Sequence, residues 1–286
     1  MVSDVHMGNA LHRPRRAFLD FIHFAFQNRY SVCINGDGVD IVQLSLPRLT
    51  ADLTPSLRLF LRFSETGRSI YYTVGNHDLA LEHFLTDMGR MKVIPFLNVQ
   101  CGDLRVRVEH GHMYDRMFLR YPRTYYAFMV LGHLAIAVSP GFYDRLHNVN
   151  LALIRMAERI LGRFGVGSGS GRSISGIEGE RECFGDAALD VGMRGFDVVV
   201  LGHTHLPGST EFPAGIRYYN TGSWFSKPCC VALSHGELWF GPVADLVQNG
   251  DPFPLDGALP AGGAGAGPSL PAPSSAGLPP GPGDGR

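Results

Sequence analysis

The sequence predicts an α/β fold of layered (α+β) type, and three observations carry that expectation. Helical apolar patterns alternate with short apolar strand patterns through the first half of the chain, as they do in layered α/β domains. Hydrophobic residues are 45% of the 286, against 18% charged, enough apolar material for a sizeable core. Polar clusters rich in Gly, Asp, Asn and His follow the strand patterns, and strand ends at one sheet edge are where open α/β sheets bind ligands.

Taken in order, Pro14 to Arg29 reads as a helix, with Phe18, Phe21, Ile22, Ala25 and Phe26 on one face and Pro14 near its start. Ser31 to Asn35 is a short apolar strand ending in Gly36-Asp37-Gly38. Leu57 to Phe63 is helical in pattern, and Ser69 to Val74 is a strand ending in Gly75-Asn76-His77-Asp78. Leu104 to Val108 alternates with arginines, as a half-exposed strand does. Tyr125 to Val138 is a nearly continuous apolar run. After Pro140-Gly141, Leu146, Val149, Leu153, Met156 and Ile160 follow at helical spacing. Residues 115–165 therefore predict an inserted helical hairpin, and the Gly/Ser-rich stretch 165–179 a flexible loop. Phe196 to Leu201 is a further apolar strand, and 216–220 and 228–240 read as consecutive strands. One main domain is expected over 1–245 and a Gly/Pro/Ala-rich disordered tail over 246–286; from Gly257 onward, 16 of 30 residues are Gly or Pro.

Composition excludes some functions. Lys+Arg 25 against Asp+Glu 26 is not the balance of a chain that binds nucleic acid through bulk charge. Five cysteines without a C-x-x-C pair give neither a zinc clamp nor a disulfide framework, and reduced thiols are expected. No apolar run reaches the length of a membrane span, and no secretory leader is visible, so a cytoplasmic protein is expected.

Five clusters carry the chemistry: Asp4-Val5-His6, Gly36-Asp37-Gly38-Val39-Asp40, Gly75-Asn76-His77-Asp78, His110-Gly111-His112 and Gly202-His203-Thr204-His205. Each alone is an ordinary turn or a structural histidine. Five together, each following a strand, are hard to explain as packing. Carboxylate, amide oxygen and imidazole suit divalent Mn, Fe, Zn or Co, and the absence of thiolates argues against a structural zinc site. Two such ions need a shared ligand, which a carboxylate can supply, and such a pair suits an in-line displacement at phosphorus.

The order D-x-H, G-D-x-x-D, G-N-H-D, H-G-H, G-H-x-H resembles the calcineurin-like metallophosphoesterase superfamily over about residues 1–240. The resemblance implies a β-sandwich flanked by helices, with a dinuclear centre at the strand ends. It implies that Asp4, His6, Asp37 and His205 hold one metal, with Asp37 bridging, and that Asn76, His110 and His203 complete the second. His77 would donate to the phosphate or protonate the leaving group, with Asp78 orienting it. His110, rather than His112, is the implied ligand of the H-G-H motif. His112 is then a neighbouring or substrate-binding residue, and Asp40 supports the ligands. Attack by a hydroxide shared between the ions would cut a phosphodiester or pyrophosphate bond, with Mn the first cofactor to try.

Gly202-His203-Thr204-His205-Leu206-Pro207 with Tyr219-Asn220-Thr221-Gly222-Ser223-Trp224 is similar to the UDP-2,3-diacylglucosamine hydrolase group of lipid A biosynthesis, whose active site is capped by a helical insertion. The 115–165 hairpin matches that cap in position. Arg116, Arg120 and Arg123, ahead of its apolar run, are candidate substrate contacts, and the hairpin implies peripheral contact with the inner membrane. His77 stands where that group has arginine. The alternatives are a phosphodiesterase or phosphatase on small nucleotides, and a scaffold of the same fold that has lost catalysis. Only Met1 and Val2 precede Ser3-Asp4, so the first strand is expected to be a stub and the true start to lie upstream.

Overall fold

The computed structural model describes residues 1–9, 15–40, 46–84, 86–87, 91–121, 123 and 174–253. The apolar seam of the expected hairpin, most of the 165–179 loop and the tail beyond 253 lie outside the described residues.

Helix α1 (Arg15–Gln27) leads into β1 (Val32–Asn35), and α2 (Leu46–Glu65) into β2 (Ile70–Thr73). The short β3 (Thr86–Asp87) and β4 (Met91–Ile94) complete a sheet ordered β1-β2-β4-β3, in which β1, β2 and β4 are parallel. A second sheet has the order β5-β6-β7-β9-β8, built from β5 (Leu97–Cys101), β6 (Leu104–Val108), β7 (Val198–Leu201), β8 (Gly208–Glu211) and β9 (Arg217–Asn220). Its central β6, β7 and β9 run parallel. Short α3 (Arg116–Arg120) follows β6, and α4 (Glu182–Met193) precedes β7. The hairpin β10 (Cys229–Ser234) and β11 (Glu237–Pro242) leads into α5 (Val243–Asn249). This is the mixed α/β fold that the sequence predicts.

The two sheets face each other. Cys33 on β1 packs with Val106 and Val108 on β6, Val198 and Val200 on β7, and Val231 on β10, all buried. The outer face of the first sheet is covered by α1, α2 and α5, through Phe18, Phe21, Ile22, Phe63 and Leu246. The outer face of the second is covered by α4, which buries Phe184, Ala188 and Val191 on one stripe. Strands β1 (Val-Cys-Ile-Asn) and β7 (Val-Val-Val-Leu) are buried along their whole length, as parallel strands covered on both faces must be.

The N-terminal residues pair in strand fashion. Val2 accepts and donates between Asn35 N and Cys33 O, and Met1 O accepts from Val231 N. Residues 1–3 thereby join β1 to β10. Some details differ from expectation. Helix α2 is far longer than its apolar stretch at 57–63, because it runs on through Pro55. The run at 228–240 is a hairpin whose two-residue turn, His235-Gly236, takes positive φ at both positions (49° and 86°), the geometry that suits strand twist. The 245/246 boundary falls inside α5, where Leu246 is buried, and Tyr30 OH donates to Asp251, so described structure runs on to residue 253. Of the 165–179 segment, residues 174–179 are described, and there Ile177 is fully buried against α4. Among the described residues no helix is long and apolar enough to cross a membrane.

Candidate metal centre

The predicted site residues converge at one edge of the sandwich. Asp37 follows β1, Asn76 follows β2, His110 follows β6 and His203 follows β7, so the C-terminal ends of parallel strands from both sheets deliver them to one place. Asp4 and His6 follow the N-terminal stub. Asn35 ties the two sheets together just below them. Its Oδ1 accepts from Thr73 Oγ1 (2.8 Å) and its Nδ2 donates to Glu109 O (2.9 Å).

The local backbone is unusual. Among the described residues seven non-glycines have positive φ, and five of them are predicted ligands: Asp4 (53°), His6 (53°), Asp37 (50°), His203 (69°) and His205 (62°). Left-handed backbone at a non-glycine costs free energy and persists where surrounding structure imposes it, which marks functional sites. The adjoining glycines allow close approach. A Cβ on Gly75 would lie 2.1 Å from Asp37 Oδ1, and one on Gly36 would lie 2.4 Å from the His110 ring.

Two groups of donors lie side by side. In the first, Asp4 Oδ1 lies 3.1 Å from His205 Nε2 and 3.9 Å from His6 Nε2, and the two Nε2 atoms are 3.2 Å apart. In the second, His110 Nε2 lies 3.3 Å from Asp37 Oδ2 and 3.2 Å from Asn76 Oδ1, and His203 Nδ1 lies 2.8 Å from the same Asn76 oxygen. Asp4, His6, Asp37, Asn76 and His110 are almost fully buried. Potential ligand atoms fall within 4.8 Å of one another in three overlapping sets: Asp4-His6-His205, His6-Asp37-His77 and Asp4-Asp37-His110.

The donor chemistry fits divalent cations. His110 Nδ1 faces the Asn35 carbonyl at 2.9 Å, so Nδ1 carries a proton and Nε2 is the ring nitrogen turned to Asp37 and Asn76, free to ligate once it gives up its own proton. His203 Nε2 faces Asp115 Oδ2 at 3.0 Å, so its Nδ1 turns a lone pair to Asn76. Lone pairs converging on lone pairs in a buried pocket are what a cation resolves. Asp4 Oδ1, buried and with no geometrically sound hydrogen bond among the described residues although His205 Nε2 lies 3.1 Å away, fits the same reading. The electrostatics of the ion-free site show the same demand for positive charge, met there by a second proton on His110 that a bound cation would displace. Burial alone lowers the His110 pKa, but Asp37 and Asp4 outweigh it and push it up to about 10. Burial raises the Asp4 pKa, yet His110 and His205 bring it down to about 2, and Asp37 is likewise held well below the usual carboxylate range. Burial keeps His6 and His203 below the ordinary histidine pKa, hence neutral and available as ligands.

His77 sits at the edge of the cluster, with Nε2 3.9 Å from Asp37 Oδ2 and 14% of its side chain exposed. Against burial, Asp37 and Asp40 push its pKa up to about 9. The carboxylate that reaches it is not Asp78 but Asp40, whose Oδ1 lies 3.2 Å from His77 Nδ1. Asp40 Oδ2 accepts from Asn9 Nδ2 (2.8 Å) and lies 3.7 Å from His6 Nδ1. Asp78 turns the other way: it accepts from Gly75 N (2.6 Å), Gly38 N (3.0 Å) and Tyr72 OH, knitting the two ligand loops together. The resemblance gave Asp78 the orienting role; in the structure the turn at 75–78 directs its carboxylate to the Gly75 and Gly38 amides instead.

His112 is buried beside His110 (ring centroids 5.6 Å apart) and against Phe118, and among the described residues neither of its ring nitrogens has a hydrogen-bond partner. Arg120 and Arg123 are exposed, Arg120 over the Tyr121 ring, and neither is drawn into the cluster; the Arg116 side chain lies outside the described residues. Four residues near the site escaped sequence reasoning. They are Asn35, Phe225, whose ring stacks on His6 at 4.7 Å, and the carboxylates Asp115 and Glu180. Asn35 alone carried a signal, as the residue closing a strand just before a glycine.

A family model described as calcineurin-like phosphoesterase matches residues 1–207. Comparison with curated proteins gives no match. Among solved structures, an archaeal phosphodiesterase is similar at 16% identity and TM-score 0.38, covering 84% of this chain and 96% of that one. A single mutant of Vps29 from Entamoeba histolytica is similar at 13% and 0.34, over 84% and 88% of the two chains. An uncharacterised protein of Streptococcus pneumoniae TIGR4, described as a predicted phosphoesterase, is similar at 14% and 0.31, over 84% and 94%.

Proposed function

This chain belongs to the calcineurin-like phosphoesterase family and is a metal-dependent phosphoesterase, and from that premise we propose that it hydrolyses a phosphodiester or pyrophosphate bond of a nucleotide-lipid such as UDP-2,3-diacylglucosamine. Asp4, His6, Asp37 and His205 would hold one divalent cation, and Asp37, Asn76, His110 and His203 the other. Two cations held there would polarise a phosphoryl oxygen and lower the pKa of the attacking water. The observation that carries the reading is the convergence of imidazole, carboxylate and amide lone pairs from four strand ends and the N-terminal stub onto one buried pocket.

The chain's own residues complete the chemistry. Asp40 fixes the His77 ring through Nδ1, so Nε2 faces the cluster and can hold a proton for a phosphoryl or leaving oxygen. His112 offers a substrate oxygen or hydroxyl two buried ring nitrogens that have no partner among the described residues. Met113, Leu119 and Tyr121, all more than half exposed, lie on the segment that follows His112 and give an apolar surface suited to acyl chains. Arg120 and Arg123, exposed on the same segment, suit the phosphates or an anionic membrane surface.

The test is turnover of bis-p-nitrophenyl phosphate by the full chain loaded with Mn, followed by a panel of UDP-diacylglucosamine, nucleotide diphosphates and simple phosphomonoesters. Release of UMP from the nucleotide-lipid at the highest kcat/KM supports the proposal. Turnover of nucleotides alone would move the substrate to small phosphoesters. No turnover of any substrate by protein with two bound ions would remove the enzymatic reading.

A further inference from the structure

Three charged residues without a role in the proposed chemistry, Asp115, Glu180 and Arg181, flank residues 116–179 in sequence. Asp115, nearly buried, precedes α3, and Arg181 precedes α4. Arg181 Nη1 and Nη2 donate to Asp115 Oδ1 and Oδ2 at 3.0 and 2.8 Å, a forked pair that leaves the carboxylate one orientation. The same Oδ2 accepts from His203 Nε2 at 3.0 Å. One residue before Arg181, the buried Glu180 accepts from Thr204 Oγ1 (2.8 Å), Asn220 Nδ2 (2.9 Å) and Tyr218 OH (3.1 Å). The loop that carries His203 and His205 is thus gripped from outside at two consecutive residues, His203 and Thr204. That loop has left-handed backbone at both histidines, so no regular ladder holds it in place.

We propose that Asp115, braced by Arg181, is a positioning residue for His203, with Glu180 as a second hold on the same loop. Asp115 keeps the His203 proton on Nε2 and turns Nδ1 toward Asn76. The inference rests on the reading of His203 as a metal ligand. A role in stability alone does not account for the pair. A forked pair on a carboxylate only 6% exposed does add stability, but stability alone would not require its Oδ2 to be aimed at His203 Nε2 at 3.0 Å. Its guanidinium also lies over the Phe184 ring at 5.1 Å, which confines the fork to one place. The value of the arrangement lies in where it puts the Asp115 oxygens.

The experiment uses the full chain, stripped with chelator and titrated calorimetrically with Zn. Ring nitrogen resonances of the histidines are followed by NMR and melting temperature is measured in parallel. For Asp115→Asn the affinity for one of the two ions falls about 10–100-fold, the usual cost of losing the carboxylate behind a ligating histidine. The other ion is unaffected, the His203 ring resonances shift, and the chain still melts cooperatively, about 3–12 °C lower for the loss of charged hydrogen bonds. Arg181→Met weakens the same ion by a smaller factor. Wild-type affinities and unshifted His203 resonances in both variants overturn the inference while leaving the proposed function standing. Should Asp115→Asn fail to fold, Arg181→Met decides by the same two readouts. A wild-type chain that takes up no ion brings down both readings.

Discussion

Gly75 offers the sharpest perturbation, because its hydrogen side faces the carboxylate proposed to be shared between two ions. A methyl carbon there would lie 2.1 Å from Asp37 Oδ1 and 2.6 Å from Asp37 N. Ordinary contact begins near 3.4 Å, so Gly75→Ala pushes the carboxylate by about 1.3 Å if Asp37 alone yields. Asp37 cannot tilt freely, since Oδ1 also accepts from His77 N at 2.8 Å. Displacement of a reacting constellation by about 1 Å costs on the order of 100-fold in rate, which corresponds to about 2.7 kcal/mol of barrier. The overpacking itself costs about 1–3 kcal/mol of stability, or about 2–12 °C in melting temperature for a domain of this size. The assay is kcat/KM on bis-p-nitrophenyl phosphate at saturating Mn, with metal content by elemental analysis. Gly215→Ala is the control. It too has positive φ (75°) but nothing within 4 Å of its Cβ, so it loses about 1 kcal/mol of stability and no activity. Wild-type turnover in Gly75→Ala would refute the claim that the position of Asp37 governs the site.

Asp37→Ala abolishes turnover and lowers bound metal below the wild-type stoichiometry; an unchanged stoichiometry in elemental analysis shows that another residue is shared. In metal-free protein the pKa values of His77 (about 9) and His110 (about 10) stand above the free value of 6.5, so the folded chain keeps protons that the unfolded chain sheds. Their contribution is full below pH 6.5 and lost as pH rises through 9 to 10, so the urea midpoint falls over that window, and His110→Gln flattens the fall. His205→Gly and His205→Ala remove the same ring from a residue with φ of 62°, and Gly is the more stable of the two by about 1 kcal/mol in chemical denaturation. Equal stability would show that the left-handed backbone carries no strain. Removal of residues 257–286, rich in Gly and Pro, leaves turnover and melting temperature nearly unchanged, as paired assays of the two chains would show.

The elements legible in the sequence were those whose pattern is local. Val32–Asn35, Leu104–Val108 and Val198–Leu201 are apolar or alternating runs with sharp polar ends, and each run predicts its strand and the cluster that follows it. Strand β4 escaped because Met91–Ile94 is short, carries Lys92 and pairs in parallel with the non-adjacent β2; β5 was legible, since Leu97–Cys101 alternates and pairs with its neighbour β6 across Gly102-Asp103. Helix α4 was hidden by two glycines in Glu-Cys-Phe-Gly-Asp-Ala-Ala-Leu-Asp-Val-Gly-Met, although its buried face has ordinary helical spacing. The ligands were legible because each lies in a short motif. Their supports were not. Asp115 and His203 are 88 residues apart, and Asp115 and Arg181 are 66 apart, so only folding shows that they meet.

The placing of strain, charge and support then follows one physical logic. Five ligand positions hold left-handed backbone, at a cost of order 1 kcal/mol or more each, which is a large part of the 5–15 kcal/mol that stabilises a typical domain. The same residues bury carboxylates and imidazoles that would otherwise be solvated. Carboxylate–imidazole attraction offsets part of the burial cost, as the lowered Asp4 and Asp37 and raised His77 and His110 pKa values show, but it does nothing for the backbone strain. What holds the arrangement is rigid scaffolding around it. Fully buried β1 and β7 fix the strand ends, Asn35 joins the sheets beneath, Asp78 ties together the loops at 38 and 75, and Asp115 and Glu180 grip the loop at 203–204. Cations that bind only the folded chain add RT ln(1 + [L]/Kd) to its stability. The strain is therefore offset in the loaded protein and exposed in the stripped one, so the gap between their melting temperatures measures how far the fold is built around its ions.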